Sequence, residues 1–402
     1  MQRARERATF REVFAVSEYR ALWLAQVFSV AGDQLARVAL TVLVYDRTQS
    51  ALLAAITYAA SIIPAFLGGI LLSGLADRFP RRTVMIVCDV ARALLVALMA
   101  IPGIPIAAII GLLFVTTLAS APFNSARSAI YPDFLSGDRY VLGTAITLTT
   151  YQFAQVLGFV TGGAVVGFFG IRNSLLIDAA TFLCSALLVR LGVRARPAPG
   201  GPATRRASPL SDAIAGARLV FGNAALLMPM LFGWLSAFYN VPEGLAAPFA
   251  KTLHGGPATV GLILGAQAFG ASAGLVTFSR LVDPSRRQRL MGPLAIGASG
   301  ILVAMAFRPG LAGSLLILTV SGLCASFQLA ANAAFVSAAP QQQRSQAFGL
   351  AVAGMSLGQG AAMILAGAAA GYIAPAVVIA LSGAVGAVAA ICLIASWSRR
   401  AR

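Results

Sequence analysis

The chain has 402 residues, 58% of them hydrophobic and only 11% charged, with a net charge of +17 at pH 7. A soluble domain carries about 25% charged residues, so a single water-solvated core is excluded and lipid has to solvate most of the chain. The positive charge is arginine apart from Lys251, and it falls in short clusters between apolar runs. That distribution gives no continuous nucleic-acid surface and matches the positive-inside pattern of membrane proteins.

In chain order, Met1–Arg20 carries Arg3, Arg5, Arg7, Arg11 and Arg20 without the apolar stretch of a signal peptide, and reads as a cytoplasmic arm. Apolar runs follow at 21–45, 51–72, 83–102, 105–126, 144–169 and 174–192. Each is long enough to span a bilayer, which takes about 17–25 residues. The breaks alternate in charge. Asp46-Arg47, Pro102-Gly103 and Arg172-Asn173 mark one face, while 78–82, Arg127–Arg139 and the stretch after Arg190 mark the arginine-rich, cytoplasmic one. Residues 193–220, with five arginines and four prolines, read as a cytoplasmic linker with one amphipathic turn from Pro209 to Val220. Six more runs lie at 221–249, 257–280, 290–307, 311–338, 346–371 and 373–396, and a basic tail closes the chain at 397–402. The expected fold class is an all-α integral membrane protein. Twelve transmembrane helices form two six-helix bundles, 21–192 and 221–396, with both termini cytoplasmic.

The two halves read as copies. Ser73, Asp77, Arg81-Arg82 and Met85 align at constant spacing with Ser279, Asp283, Arg287-Gln288 and Met291, each set following the second span of its half. Tyr131-Pro132-Asp133 and Ala339-Pro340-Gln341 likewise close the two fourth spans. Repeated six-span halves are the build of secondary transporters, with the cargo site where the repeats meet.

The stretch Ser73-Gly74-Leu75-Ala76-Asp77-Arg78-Phe79-Pro80-Arg81-Arg82 resembles the loop between helices 2 and 3 of the major facilitator superfamily, G-x-L-A-D-R-x-G-R-R. It departs at Ser73 and Pro80, where the family has glycine. Within that superfamily, Ser29-Val30-Ala31-Gly32-Asp33-Gln34, Ala121-Pro122-Phe123-Asn124-Ser125-Ala126-Arg127 and Asp178-Ala179-Ala180-Thr181-Phe182 resemble bacterial twelve-helix drug and siderophore exporters of the drug:proton antiporter type. The fifth span keeps exporter-like glycines at Gly158, Gly162 and Gly163 but lacks their proline. The resemblance implies that the loop residues Ser73, Gly74, Asp77, Arg78, Arg81 and Arg82 latch the cytoplasmic side. Asp77 is then expected near the start of helix 11, around Arg344–Phe348, or against Arg127.

Charges inside spans are few and expensive in lipid, about 2.5–3.5 kcal/mol each on insertion scales, so they should face the bundle interior. Asp33 and Arg37 stand four apart on one helix face. They read either as a self-neutralising pair or as a titrating carboxylate beside its counter-charge. Glu243, between Pro242 and Gly244, marks an expected break late in the seventh span. Asp178 lies near the outer end of the sixth, as a titrating group or an interfacial carboxylate. Asp89 and Arg92, three apart, read as a pair closed within its own helix or facing a loop. The proton-coupling candidates are Asp33, Glu243 and Asp178. Candidates for lining the cargo cavity are Gln34, Arg37, Tyr151, Gln155, Asn240, Gln267, Gln328 and Asn332, with interhelical hydrogen bonding as the alternative role.

No phosphate loop and no catalytic or metal constellation occurs in the sequence, and Cys88, Cys184, Cys324 and Cys392 sit singly in apolar runs. The expectation is a transporter and not an enzyme, without cofactor or metal, working as a monomer in a bacterial cytoplasmic membrane on a small molecule and protons. The leading reading is proton-coupled efflux of amphipathic or hydrophobic compounds. Nutrient import and a non-transporting sensor or scaffold are the alternatives.

Overall fold

A computed structural model describes residues 8–72, 75–198 and 209–400. Among these every regular element is a helix. They are α1 (Phe10–Ala15), α2 (Ser17–Thr48), α3 (Ala51–Ala59), α4 (Ile63–Leu72), α5 (Leu75–Arg78), α6 (Arg81–Met99), α7 (Ile106–Leu118), α8 (Ser120–Ile130), α9 (Asp138–Gly192) and α10 (Pro209–Phe221), followed by α11 (Ala224–Trp234), α12 (Ser236–Tyr239), α13 (Val241–Gly244), α14 (Ala246–Thr252), α15 (Pro257–Leu281), α16 (Pro284–Gly300), α17 (Leu311–Cys324), α18 (Phe327–Ala338), α19 (Arg344–Ala369) and α20 (Pro375–Arg400).

Among the described residues, ten helical stretches are long and apolar enough to cross a membrane. Two features bring the crossings to the expected twelve. The 55-residue α9 contains the fifth and sixth spans, turned at Gly170, whose φ of 75° and ψ of 167° are open only to glycine without strain. The third span, α6, is set apart from the ten by Arg81, Arg82, Asp89 and Arg92. The loop expected at Arg172-Asn173 is therefore absent. Asn173 Nδ2 donates to the Phe169 carbonyl (3.0 Å) and Ser174 Oγ to that of Gly170 (2.8 Å), which covers acceptors around the turn.

Several spans are broken, and three of the breaks carry a proline. Pro64 follows the turn between α3 and α4, Pro122 opens α8, and Pro242 lies in α13. A proline in a helix removes one N–H and leaves the carbonyl four residues earlier without a donor. In the seventh span the Phe238 carbonyl freed by Pro242 has Ser382 Oγ at 3.3 Å, a hydroxyl whose nearer acceptor is the Ile379 carbonyl at 2.9 Å. That span breaks earlier than the sequence indicates, after Trp234 as well as at Asn240.

The helices group into two compact units, Met1–Ala39 with Pro64–Pro202, and Leu40–Ile63 with Ala203–Arg402. In the first unit, Leu22, Met85, Phe123, Tyr131 and Val189 form a buried core at the arginine-rich end. The N-terminal arm contributes too: Thr9 caps α1 by accepting from the Glu12 N–H (3.3 Å), and Val13 packs with Tyr19 and Leu135. In the second unit the corresponding core joins Val220, Leu226, Met230, Phe335 and Ala347. There α10 docks on α19, with Gly216 close against the Gln346 backbone.

The start of the expected linker is strapped to the first unit. Glu18 accepts from Arg196 at 2.7 and 3.1 Å and from the Arg194 N–H at 2.7 Å. Its carboxylate raises the Arg196 guanidinium above the ordinary arginine value. Linker residues 199–208 lie outside the described residues.

Candidate functional site

Three helices of the first unit each turn a polar stripe to the same place. Ser29 and Asp33 lie four apart on α2, Asp89 and Arg92 three apart on α6, and Asp178, Thr181, Phe182 and Ser185 follow helical spacing on the sixth span of α9. Arg92 is the hub, with its side chain 3% exposed. Its guanidinium bonds Asp33 Oδ1 at 2.7 Å and Ser29 Oγ at 3.3 Å, and approaches Asp89 Oδ1 at 3.7 Å. It lies over the Phe182 ring, 4.0 Å from the centroid, which provides cation–π attraction in a site with little water. Asp89 is fully buried and takes the Ser185 hydroxyl at 2.5 Å. Asp178 is 1% exposed and lies within electrostatic reach of both Arg92 and Asp33.

Glycines bring these helices into contact. A side chain at Gly32 would run into Asp178 Oδ1 and Thr181 Oγ1. A Cβ at Gly158 would stand 2.9 Å from Gln34 Cβ, and one at Gly162 would stand 3.1 Å from the Leu35 backbone. The exporter-like glycines of the fifth span therefore act as small-residue packing positions against α2.

The pairing read from Asp33 and Arg37 spacing is corrected. Asp33 forms its 2.7 Å ion pair with Arg92 on another helix, and Arg37 donates to Gln34 Oε1 at 3.2 Å. Asp89 and Arg92 are not closed within α6, since the shorter contact of Arg92 crosses to α2. The sequence did carry a signal for them: they are the only charges between 83 and 105. Asp178, read alternatively as interfacial, is buried two turns inside the Gly170 break. Ser29, Thr181, Phe182 and Ser185 have no charge to mark them; the first three stand within the exporter-like stretches, and Ser185 carries no sequence signal.

The remaining candidates are placed as follows. In the second unit, Gln267 Nε2 donates to the Tyr239 carbonyl (2.8 Å) and Asn240 Oδ1 (2.9 Å), and Gln328 Nε2 donates to the Gly233 carbonyl (3.1 Å) and the Tyr239 hydroxyl (2.7 Å). These amides serve the broken seventh span, which is the interhelical role weighed for them. Glu243 is half-buried in α13, and Asn332 is exposed on α18. Gln34 is buried, Gln155 half-buried and Tyr151 partly exposed. At the end away from the arginine-rich loops, Lys251 pairs with Asp46 at 3.2 Å beside a crevice of about 700 Å³ lined by Tyr45, Gln49 and Tyr372.

At the arginine-rich end, Arg81 donates to the Ala129 carbonyl (2.8 Å) and pairs with Asp133 (3.2 Å), and Arg82 donates to the Arg190 carbonyl. The second copy differs. Arg287 turns back to the Ser279 and Val282 carbonyls of its own loop, because Gln341 stands where Asp133 would offer a carboxylate. Arg127 sits over the Phe123 ring at 5.8 Å, and Arg78 is exposed. Ser73, Gly74 and the Asp77 side chain lie outside the described residues, and the expected Asp77 latch with them.

A family model described as Major Facilitator Superfamily matches residues 22–247 and 244–402. The chain belongs to the Major Facilitator Superfamily. It is similar to the enterobactin exporter EntS of Citrobacter koseri, 27% identical over 303 residues that cover 71% of this chain and 70% of that one. The enterobactin exporter EntS of Shigella boydii is 26% identical over 299 residues, with the same coverage. Among solved structures, a POT family transporter in complex with 5-aminolevulinic acid superposes with a TM-score of 0.75, covering 94% of this chain and 95% of its own at 12% identity. The nucleoside transporter NupG gives 0.71, with 94% and 99% covered at 17% identity. At these identities the structures establish the superfamily fold, and cargo has to be argued from the site. The chain is a multi-pass membrane transporter, not an enzyme.

Proposed function

We propose that this superfamily member is a proton-coupled exporter of amphipathic or hydrophobic small molecules, working by alternating access in a bacterial cytoplasmic membrane with both termini inside. The observation that carries this reading is the buried network of Asp33, Asp89, Asp178 and Arg92. Ionisable groups at membrane depth are too expensive to keep as mere packing and mark ion or cargo paths. A carboxylate that binds or loses a proton changes the charge balance around Arg92, and that supplies a differential interaction between two states of the protein. The similarity to exporters supports the outward direction. Few charged side chains other than this network lie inside the spans, which suits an amphipathic cargo better than a strongly hydrophilic one.

The test is dye efflux from proteoliposomes with an imposed pH gradient. The gradient is expected to drive net dye movement, and Asp33→Asn to abolish that drive while leaving expression intact. Movement indifferent to the gradient across a broad compound panel would sink proton coupling. Uptake in the opposite sense would favour nutrient import.

A further inference from the structure

We propose that Asp178 carries the exchanged proton and that Arg92 is the positioning residue which decides when it is released. The inference rests on the exchanger reading above and names the group that titrates.

Three carboxyls meet one guanidinium in this pocket, with Arg127 near only one of them, so full ionisation would leave the carboxylates in excess of their cations. The contacts rank the three acids. Asp33 holds the short 2.7 Å bond to Arg92 and is one-third exposed, so water also solvates it. Asp89 has the second approach of Arg92 at 3.7 Å and the Ser185 hydroxyl at 2.5 Å; Arg127 on α8 also lies within its electrostatic reach. Asp178 has neither kind of support. Its Oδ2 is buried with no hydrogen-bond partner among the described residues. Its Oδ1 has only Thr181 Oγ1 at 3.4 Å, and the single hydrogen of that hydroxyl has a better acceptor in the Asp178 carbonyl at 2.7 Å. The charged groups facing Asp178 are Asp33 from α2 and Arg92 from α6. A buried carboxylate without a donor or its own cation is far costlier than the neutral acid. In this arrangement Asp178 is therefore the carboxylic acid.

Release has two structural requirements. The guanidinium of Arg92 rests on Phe182, one turn from Asp178 on the same helix, so exchanging Asp33 for Asp178 needs only a short swing of its end. Gly32 closes the α2 backbone over Asp178 Oδ1 and Thr181 Oγ1, so the proton reaches water only when α2 and the sixth span separate at that glycine. Proton transfer is thus tied to helix movement. The step is a simple deprotonation: the acid loses H⁺ to water, and Arg92 takes the carboxylate as its partner. Asp33→Asn would then lock Arg92 onto an ionised Asp178, which explains its expected loss of coupling.

Two measurements test this. In proteoliposomes, Asp178→Asn should lose all stimulation of Hoechst 33342 transport by a pH gradient. Stimulation equal to wild type would overturn the proposal, as would a sodium gradient replacing the pH gradient at fixed pH. The second measurement needs no variant. Dicyclohexylcarbodiimide modifies protonated carboxyls in apolar sites, and peptide mass spectrometry of the treated wild-type chain should find the adduct on Asp178, diminishing as pH rises. An adduct on Asp33 or Asp89 with Asp178 untouched would refute the assignment even if Asp178→Asn fails to fold. A wild-type chain that ignores a pH gradient yet is modified at Asp178 would defeat the exchanger reading and leave the protonated acid standing.

Discussion

Arg92 shows how a charge is kept inside a membrane protein. Its solvation in water is replaced by one short ion pair, one longer one, a serine hydroxyl and an aromatic face. The replacement works only as a set. Removing one partner from such a buried group leaves its counter-charges unpaid by water and costs about 3–5 kcal/mol. Arg92→Met should lower the unfolding temperature of the purified chain markedly in a thermal-shift assay. Adding Asp33→Asn and Asp89→Asn to it should recover much of that loss without restoring transport, because coupled sites are not additive. Arg92→Lys should recover little, since an ammonium cannot serve several acceptors in a plane or stack on Phe182 as a guanidinium does.

At the level of helices, α15 and α17 pack backbone against backbone. A Cβ at Gly274 would stand 2.8 Å from Leu323 Cα, and one at Gly322 would stand 2.8 Å from the Ala271 nitrogen. The obstacles are backbone atoms, which cannot turn aside. Gly274→Leu should therefore separate the two helices, at a cost of at least about 1–3 kcal/mol of overpacking, seen as lost monodisperse yield in detergent. Gly111→Ala has open space around it and should be neutral or stabilising in the same assay. The contrast also marks what was legible in the sequence. Spans, alternating arginine breaks and the Pro242–Gly244 interruption are local signals, set by hydropathy and proline chemistry within a few residues. The partner of Asp33 is not local. Asp33 and Arg37 have good intrahelical spacing, yet the rotation of α2 against α6 makes Arg92 the partner. The Gly170 turn was likewise hidden, because a single left-handed glycine gives no polar loop to read, and Arg172-Asn173 nearby looked like one.

The whole chain divides in a way that its apolar runs do not announce. The second unit includes Leu40–Ile63, taken from the first two spans. Within it α3 lies along α19, where a Cβ at Gly367 would be 2.9 Å from the Ala51 carbonyl oxygen. At the same end stands the ion pair of Asp46 and Lys251, whose side chain is about half exposed. No other lysine exists in the 402 residues, so this chain has one side-chain amine to offer a reagent. An amine-reactive ester that cannot cross membranes becomes a single-site probe of orientation, read by peptide mass spectrometry apart from the N-terminal amine. Intact cells should give the Lys251 adduct without permeabilisation if the arginine-rich loops face the cytoplasm, and labelling only after permeabilisation would invert the topology. The same amine would accept one fluorophore per molecule, a stoichiometric reporter set by the scarcity of lysine and needing no engineered cysteine.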